Sequence, residues 1–151
     1  MSVAINGKQT RRGQGANLPP APVLIELFEQ MVLLRKFETA AQIACRKGET
    51  PGFLHLYIGQ EATGVGVCAH LRRADWVTST HRGHGHALAK GADPRRVMAE
   101  LFGKADGICG GRGGTMHLYD KSVGLFGVCW PCAHNLQTAE WMIGTQVARP
   151  L

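Results

Sequence analysis

Long apolar runs are missing from this chain. Nothing in its 151 residues approaches the roughly 20 apolar positions of a membrane-spanning helix, so no membrane partner is expected. The N-terminus carries no apolar core of the secretory-signal type, and a cytoplasmic protein is the expectation. Aromatic residues are sparse at 7%, and no block of Lys and Arg occurs. A base-stacking platform and a recognition helix are therefore both unsupported, and nucleic acid is not an expected partner. Cysteine is odd in number at five, with Cys45, Cys68 and Cys109 widely scattered, which argues for reduced thiols and against a disulfide framework. Tandem repeats are absent.

What remains is an ordinary globular composition, 44% hydrophobic and 19% charged, long enough for one modest domain. The formal net charge of +6 fits an anionic cofactor or an acidic partner subunit as well as it fits nucleic acid.

Residues 1–22 are polar and end in Leu18-Pro19-Pro20-Ala21-Pro22, which reads as a flexible arm. Leu24, Leu27, Phe28, Met31, Leu34, Phe37, Ala41 and Ala44 then recur at helical spacing, with Glu26, Glu29, Arg35, Lys36 and Glu38 mostly between them. Pro22 suits the first turn of that helix and Gly48 its end. Phe53 to Ile58 is short, apolar and aromatic, as an extended segment would be. Gly59 to Leu71 is rich in small residues and reads as a buried helix. Asp93-Pro94 opens another helix through Val97, Met98 and Leu101, which stops near Gly103. Gly107, Gly110, Gly111, Gly113 and Gly114 make the following stretch a loop, either disordered or covering a ligand.

Chemistry concentrates in His81-Arg82-Gly83-His84-Gly85-His86, after the strand-like run Asp75 to Thr80. Arginine binds phosphate bidentately, and glycines let the backbone approach an anion, so this turn suits a phosphate or diphosphate. A metal site lacks an adjacent carboxylate or thiolate, and a surface loop with incidental histidines is the plain alternative. His55, between two leucines, fits either a hydrogen-bonded core histidine or a partner for a polarised carbonyl. Cys129-Trp130-Pro131-Cys132 has the form of a redox pair, but that reading needs a strand before it and a long helix after it, and the motif lacks this βαβ setting.

Taken together, these blocks resemble a known family. Gly52-Phe53-Leu54-His55-Leu56-Tyr57-Ile58-Gly59-Gln60-Glu61-Ala62 is similar to a signature of the alpha subunit of thiamine-diphosphate-dependent 2-oxo acid dehydrogenases. Ser79 to Gly91, Met98 to Lys104, and Gly110-Gly111-Arg112-Gly113-Gly114-Thr115-Met116-His117 resemble its next blocks in order. The resemblance covers about Leu24 to Gly127. It implies an α/β fold, here the incomplete N-terminal part of a thiamine-diphosphate-binding fold and helix-rich as it stands. It also implies thiamine diphosphate and Mg²⁺ as cofactors, a beta subunit in an α₂β₂ assembly, and a lipoyl acyltransferase that receives the acyl fragment after C–C cleavage.

Carried over by position, His55 is implied to hydrogen-bond the substrate near the reacting carbon, and His84 is grouped with it as catalytic. Arg82 and His81 are implied at the diphosphate, with Gly113, Gly114 and His117 in a loop near the cofactor. Gln60 and Glu61 would be supporting residues. Histidine at position 81, where pyruvate-type members carry tyrosine, points to the acetoin dehydrogenase branch; pyruvate dehydrogenase is the nearest alternative. A non-catalytic chain that binds a beta subunit is the alternative from another class.

Past Gly127 the motifs stop. Val128-Cys129-Trp130-Pro131-Cys132 stands where the family has an Asn-Gly-Ile-Val-Gly-like block, and the family's metal-binding Gly-Asp-Gly does not occur. Residues 128–151 therefore read as a divergent tail, of the kind a frameshift leaves, with residues 23–127 a partial cofactor-binding domain. Sequencing across the codons for Gly127 and Val128 in independent isolates checks this: a different frame is expected, and the same open frame in all of them counts against it.

Overall fold

A computed structural model describes residues 18–128. The expected N-terminal arm, apart from its Pro-rich end, and the Cys129–Cys132 stretch lie outside the described residues, as does the rest of the chain from residue 129. The chain opens with a 26-residue helix α1, Ala21–Arg46. It is followed by α2 (Glu61–Cys68), β1 (Val77–Ser79), α3 (Gly83–Ala89), α4 (Pro94–Leu101) and β2 (Leu125–Val128). The strands form a two-stranded parallel sheet, with Val77 opposite Leu125 and Ser79 opposite Val128 and a register irregularity between them. The connection that joins them carries α3, α4 and the glycine-rich loop. The result is helix-rich with a small parallel sheet.

The helix ends follow the local rules. Pro22 lies in the first turn of α1, and Gly48, at φ +72°, takes the left-handed conformation just past its end. The Asp93 side chain caps α4 by accepting from Arg95 N at 2.8 Å. Leu34, Phe37 and Ala41 of α1 enter the core beside Val65 and Cys68 of α2, Ala87 and Leu88 of α3, and Val97 and Leu101 of α4.

The first turns of α1 depart from their apolar pattern. Leu24 is 39% exposed and Phe28 62% exposed, and Val23, Ile25 and Leu33 are exposed too. Leu27 and Met31 pack against the core while only partly buried, and full burial along the helix begins at Leu34. Glu38, expected between the apolar positions, is fully buried.

The histidine-rich turn also differs from expectation. Only His81 and Arg82 lie in a turn, and Gly83 to His86 belong to helix α3. Packing overrides the poor helix propensity of glycine here. A Cβ at Gly85 would fall inside the Tyr57 ring, and one at Gly64 on α2 would meet the Tyr57 hydroxyl. Tyr57 is 1% exposed, clasped between the two helices by their missing side chains.

Gly85→Ala is therefore expected to lower stability by about 3 kcal/mol through overpacking. Gly66→Ala, on a helix position with nothing within 4 Å, is expected to raise it by about 0.5–1 kcal/mol. Urea unfolding of the two variants checks the contrast; equal effects would remove Tyr57 as the reason for Gly85.

Candidate functional site

The segment Phe53–Tyr57, expected to be extended, has no regular secondary structure and pairs with no strand among the described residues. Side chains from three other parts of the chain bind its backbone instead. Thr115 Oγ1 donates to Phe53 O at 2.7 Å, and Arg82 Nε to Leu56 O at 2.8 Å. Glu38 Oε2 accepts from Tyr57 N at 2.9 Å. Buried backbone groups need partners, and here they recruit them from α1, from the turn before α3 and from the glycine-rich loop.

These anchors bring three of the expected residues together. His55, His81 and Arg82 meet just beyond the carboxyl end of β1. The His55 and His81 rings lie edge to face with centroids 4.7 Å apart. Arg82 Nη1 donates to His81 Nε2 at 3.0 Å. Arginine only donates, so His81 Nε2 accepts and the proton of the neutral ring sits on Nδ1. Burial, the Arg82 charge and His55 all push the His81 pKa below its ordinary value, which favours that neutral state. Arg82 Nη2 has no hydrogen-bond partner among the described residues.

His84 is placed elsewhere. It is fully buried, and its Nδ1 bonds the Glu38 carboxylate. His86 lies between Ser79 Oγ (2.6 Å to Nδ1) and the Tyr57 hydroxyl (3.1 Å to Nε2). Burial, then the neighbouring His84, lowers the His86 pKa. Glu61 supports the turn before α2: it accepts from Arg35 Nε at 2.5 Å and from Gly59 N at 2.9 Å. The Arg35 hydrogen bond, first among several causes, holds Glu61 below the ordinary carboxylate range.

The glycine-rich loop is ordered around an anion that the chain itself provides. Glu100, fully buried at the end of α4, accepts from the backbone N–H groups of Cys109 (2.8 Å), Gly111 (2.9 Å), Gly113 (2.7 Å) and Gly114 (3.3 Å). The N–H groups of Gly113 and Gly114 thus already serve a carboxylate. His117 is exposed at the end of this loop, with its backbone N bonded to Gly113 O at 3.1 Å. Glu38 and Glu100 are two buried carboxylates that order the backbone around the cluster and the loop, and the sequence pattern did not single them out. For Glu100 a signal existed, since a loop with so many bare N–H groups needs a central anion.

Among the described residues no group of three or more His, Cys, Asp or Glu side chains could hold a metal ion. Nor is any helix there long and apolar enough to cross a membrane. A cavity of about 340 Å³ opens between Phe28, Met31, Val32, Arg35 and Ala62, and none of His55, His81 or Arg82 lines it.

A parallel strand pair joined through helices makes the described residues a helix-rich α/β arrangement, with Arg82 just beyond the carboxyl end of its first strand, where open α/β sheets carry their ligand sites. The comparisons narrow this. A family model described as "Dehydrogenase E1 component" matches residues 29–147. The chain is 52% identical over 101 residues to the alpha subunit of acetoin:2,6-dichlorophenolindophenol oxidoreductase of Bacillus subtilis, covering 67% of this chain and 30% of that protein. It is 47% identical over 104 residues to the protein of that name from Cupriavidus necator, covering 69% and 31%. It is 50% identical over 103 residues to the chloroplastic pyruvate dehydrogenase E1 component subunit alpha-3 of Oryza sativa, covering 68% and 24%. The chain belongs to the dehydrogenase E1 component family. Its aligned part spans a third or less of the length of these relatives. The family match runs past Gly127, so it takes in most of the segment expected to be divergent.

Glu100 sets a pH dependence. Burial alone would raise its pKa, but four backbone N–H donors outweigh burial and hold it below the ordinary range. A depressed carboxyl contributes stability that is complete above its unfolded pKa of about 4.3 and is lost as pH falls through the folded value. Glu100→Gln is expected to cost about 2–3 kcal/mol at neutral pH and to flatten the acid limb. Glu61 and Asp75, also depressed, keep part of that limb. Urea midpoints measured against pH for both proteins check this; parallel curves would sink it.

Proposed function

We propose that this chain forms part of the cofactor site of a thiamine-diphosphate-dependent E1 dehydrogenase of the acetoin type. The observation that carries the reading is the Arg82–His81–His55 cluster. Arg82 supplies the positive charge and Nη2 donors for a diphosphate, and neutral His81 adds its Nδ1–H. These donors fit an anionic group of that kind. The described residues do not fit Mg²⁺, so no step is assigned to a metal.

Bound thiamine diphosphate supplies electron acceptance during cleavage of a C–C bond beside a carbonyl. The chain's residues hold and orient. Arg82, bonded to Leu56 O, fixes the anion relative to the segment that carries His55. His55, half-buried against His81, is the group of this chain proposed to hydrogen-bond the substrate oxygen. The glycine-rich loop with Gly113, Gly114 and His117 is tied to Phe53 through Thr115 and borders that same segment. Because two of its N–H groups already bind Glu100, its contribution is proposed to be the exposed His117 side chain.

A beta subunit is the proposed partner that completes the site, and a lipoyl acyltransferase the acceptor of the fragment. A cytoplasmic location is kept from the sequence reading. The pyruvate reading stays open because the rice pyruvate dehydrogenase subunit, at 50% identity, falls between the two acetoin-type relatives at 52% and 47%.

Titration calorimetry of the 151-residue chain with thiamine diphosphate and with inorganic pyrophosphate tests the reading. Arg82→Gln is expected to weaken both by about 1.5–3 kcal/mol, or roughly ten- to a hundredfold. The chain alone is expected not to cleave acetoin or pyruvate. After co-purification with a beta subunit, cleavage of each substrate with an artificial electron acceptor separates the two types. Turnover by the chain alone, or binding indifferent to Arg82, would overturn the reading.

A further inference from the structure

Arg82 and Glu38 hold the same peptide group from opposite sides. Arg82 Nε donates to the carbonyl of Leu56 at 2.8 Å, and Glu38 Oε2 accepts from the N–H of Tyr57 at 2.9 Å. These are the C=O and N–H of one peptide bond. A trans peptide is planar and directs the two groups opposite ways, so neither can turn without the other. The carboxylate itself is fixed, because Glu38 Oε1 bonds His84 Nδ1. Glu38 and His84 are both fully buried, so this anchorage lies in the interior, below the site.

The burial of this pair is not explained by packing alone. An apolar pair would fill the space between α1 and α3 without the desolvation cost of a carboxylate. His84 Nε2 is buried and has no hydrogen-bond partner among the described residues, a further cost. What the pair does accomplish is alignment. From Arg82 through the peptide to Glu38, positive charge, aligned dipole and negative acceptor lie in series, an arrangement in which each bond strengthens the next.

We propose that Glu38 is a positioning residue for Arg82, acting through the Leu56–Tyr57 peptide, with His84 holding the Glu38 carboxylate in place. His84 on this assignment acts from the interior and does not touch substrate. Glu38 sets the tilt of the peptide, the peptide carbonyl sets the direction of the Arg82 guanidinium, and His81 is bonded to that guanidinium in turn. The inference rests on the proposed anion site only for its binding consequence.

The test uses the whole chain, Glu38→Gln, and inorganic pyrophosphate as the probe. The glutamine keeps the shape but replaces one acceptor oxygen by an NH₂ group and removes the charge. Hydrogen exchange at Arg82 Nε, followed by NMR, is expected to be slow in the unaltered chain and distinctly faster in Glu38→Gln before any probe is added. Pyrophosphate affinity is expected to fall about tenfold, the size of effect that outer-shell partners commonly have. A purely structural Glu38 would lower the melting temperature and leave both Arg82 exchange and affinity unchanged, which overturns the proposal. If Glu38→Gln does not fold, the unaltered chain still decides: Arg82 Nε–H exchanging as fast as that of a solvent-exposed arginine overturns it. If the unaltered chain does not bind pyrophosphate, the functional reading fails, and the exchange readout still judges the role of Glu38.

Discussion

One peptide group, between Leu56 and Tyr57, ties together the elements that carry the proposed site. Its carbonyl holds Arg82, its N–H is held by Glu38, and the ring that follows it fills the space left by Gly64 and Gly85. The segment around it lies outside the sheet, so no ladder of hydrogen bonds fixes its register. Three side chains do so, and each comes from an element that is otherwise far along the sequence. A sheet ladder would have fixed the segment to its neighbours in a repeating way. Separate anchors instead fix it to the elements that carry the site.

The same economy appears at the glycine-rich loop. A run of bare N–H groups is an anion receptor whether the anion is a ligand or a side chain. Here four of those groups converge on Glu100, and the loop is ordered around a carboxylate from α4. Glu38, Glu61 and Glu100 are all buried and all engaged with backbone N–H groups. Among the described residues, burial withdraws three acidic side chains but only one lysine, Lys90, which leaves the rest of the charge more basic than the formal +6. An excess of that sign suits an anionic cofactor or an acidic partner, as the composition indicated.

Helix boundaries were legible because they depend on adjacent residues. Pro22, Gly48, Asp93 and Pro94 mark their ends by dihedral preference and capping, and the structure follows them. The chemical cluster was legible too: His55, His81 and Arg82 stand out by residue type, and they do meet. What stayed hidden depends on distant partners. Glu38 looks like a solvent-facing residue of an amphipathic helix until the Tyr57 N–H and His84 are seen beside it. His84 looks like a member of the turn until Tyr57 packs on Gly85 and draws the stretch into a helix. The exposed apolar start of α1 is the converse case: helical periodicity predicts a face, but only neighbouring elements decide how far along the helix that face is covered.

The proposal of an anion at the histidine–arginine turn follows from what Arg82 bonds and what it does not. Arg82 bonds a neutral carbonyl and a neutral imidazole, and among the described residues no carboxylate bonds it. Its charge therefore acts on its surroundings, and after burial it is the next cause of the lowered His81 pKa. A neutral His81 is consequently partly a response to an uncompensated neighbour. On the proposed reading, a diphosphate placed against the pair offsets that charge, while the Arg82 hydrogen bond to Nε2 keeps the ring proton on Nδ1 and available to donate. An anion there would compensate a charge that no described carboxylate pairs, which is why the proposed reading rests on Arg82.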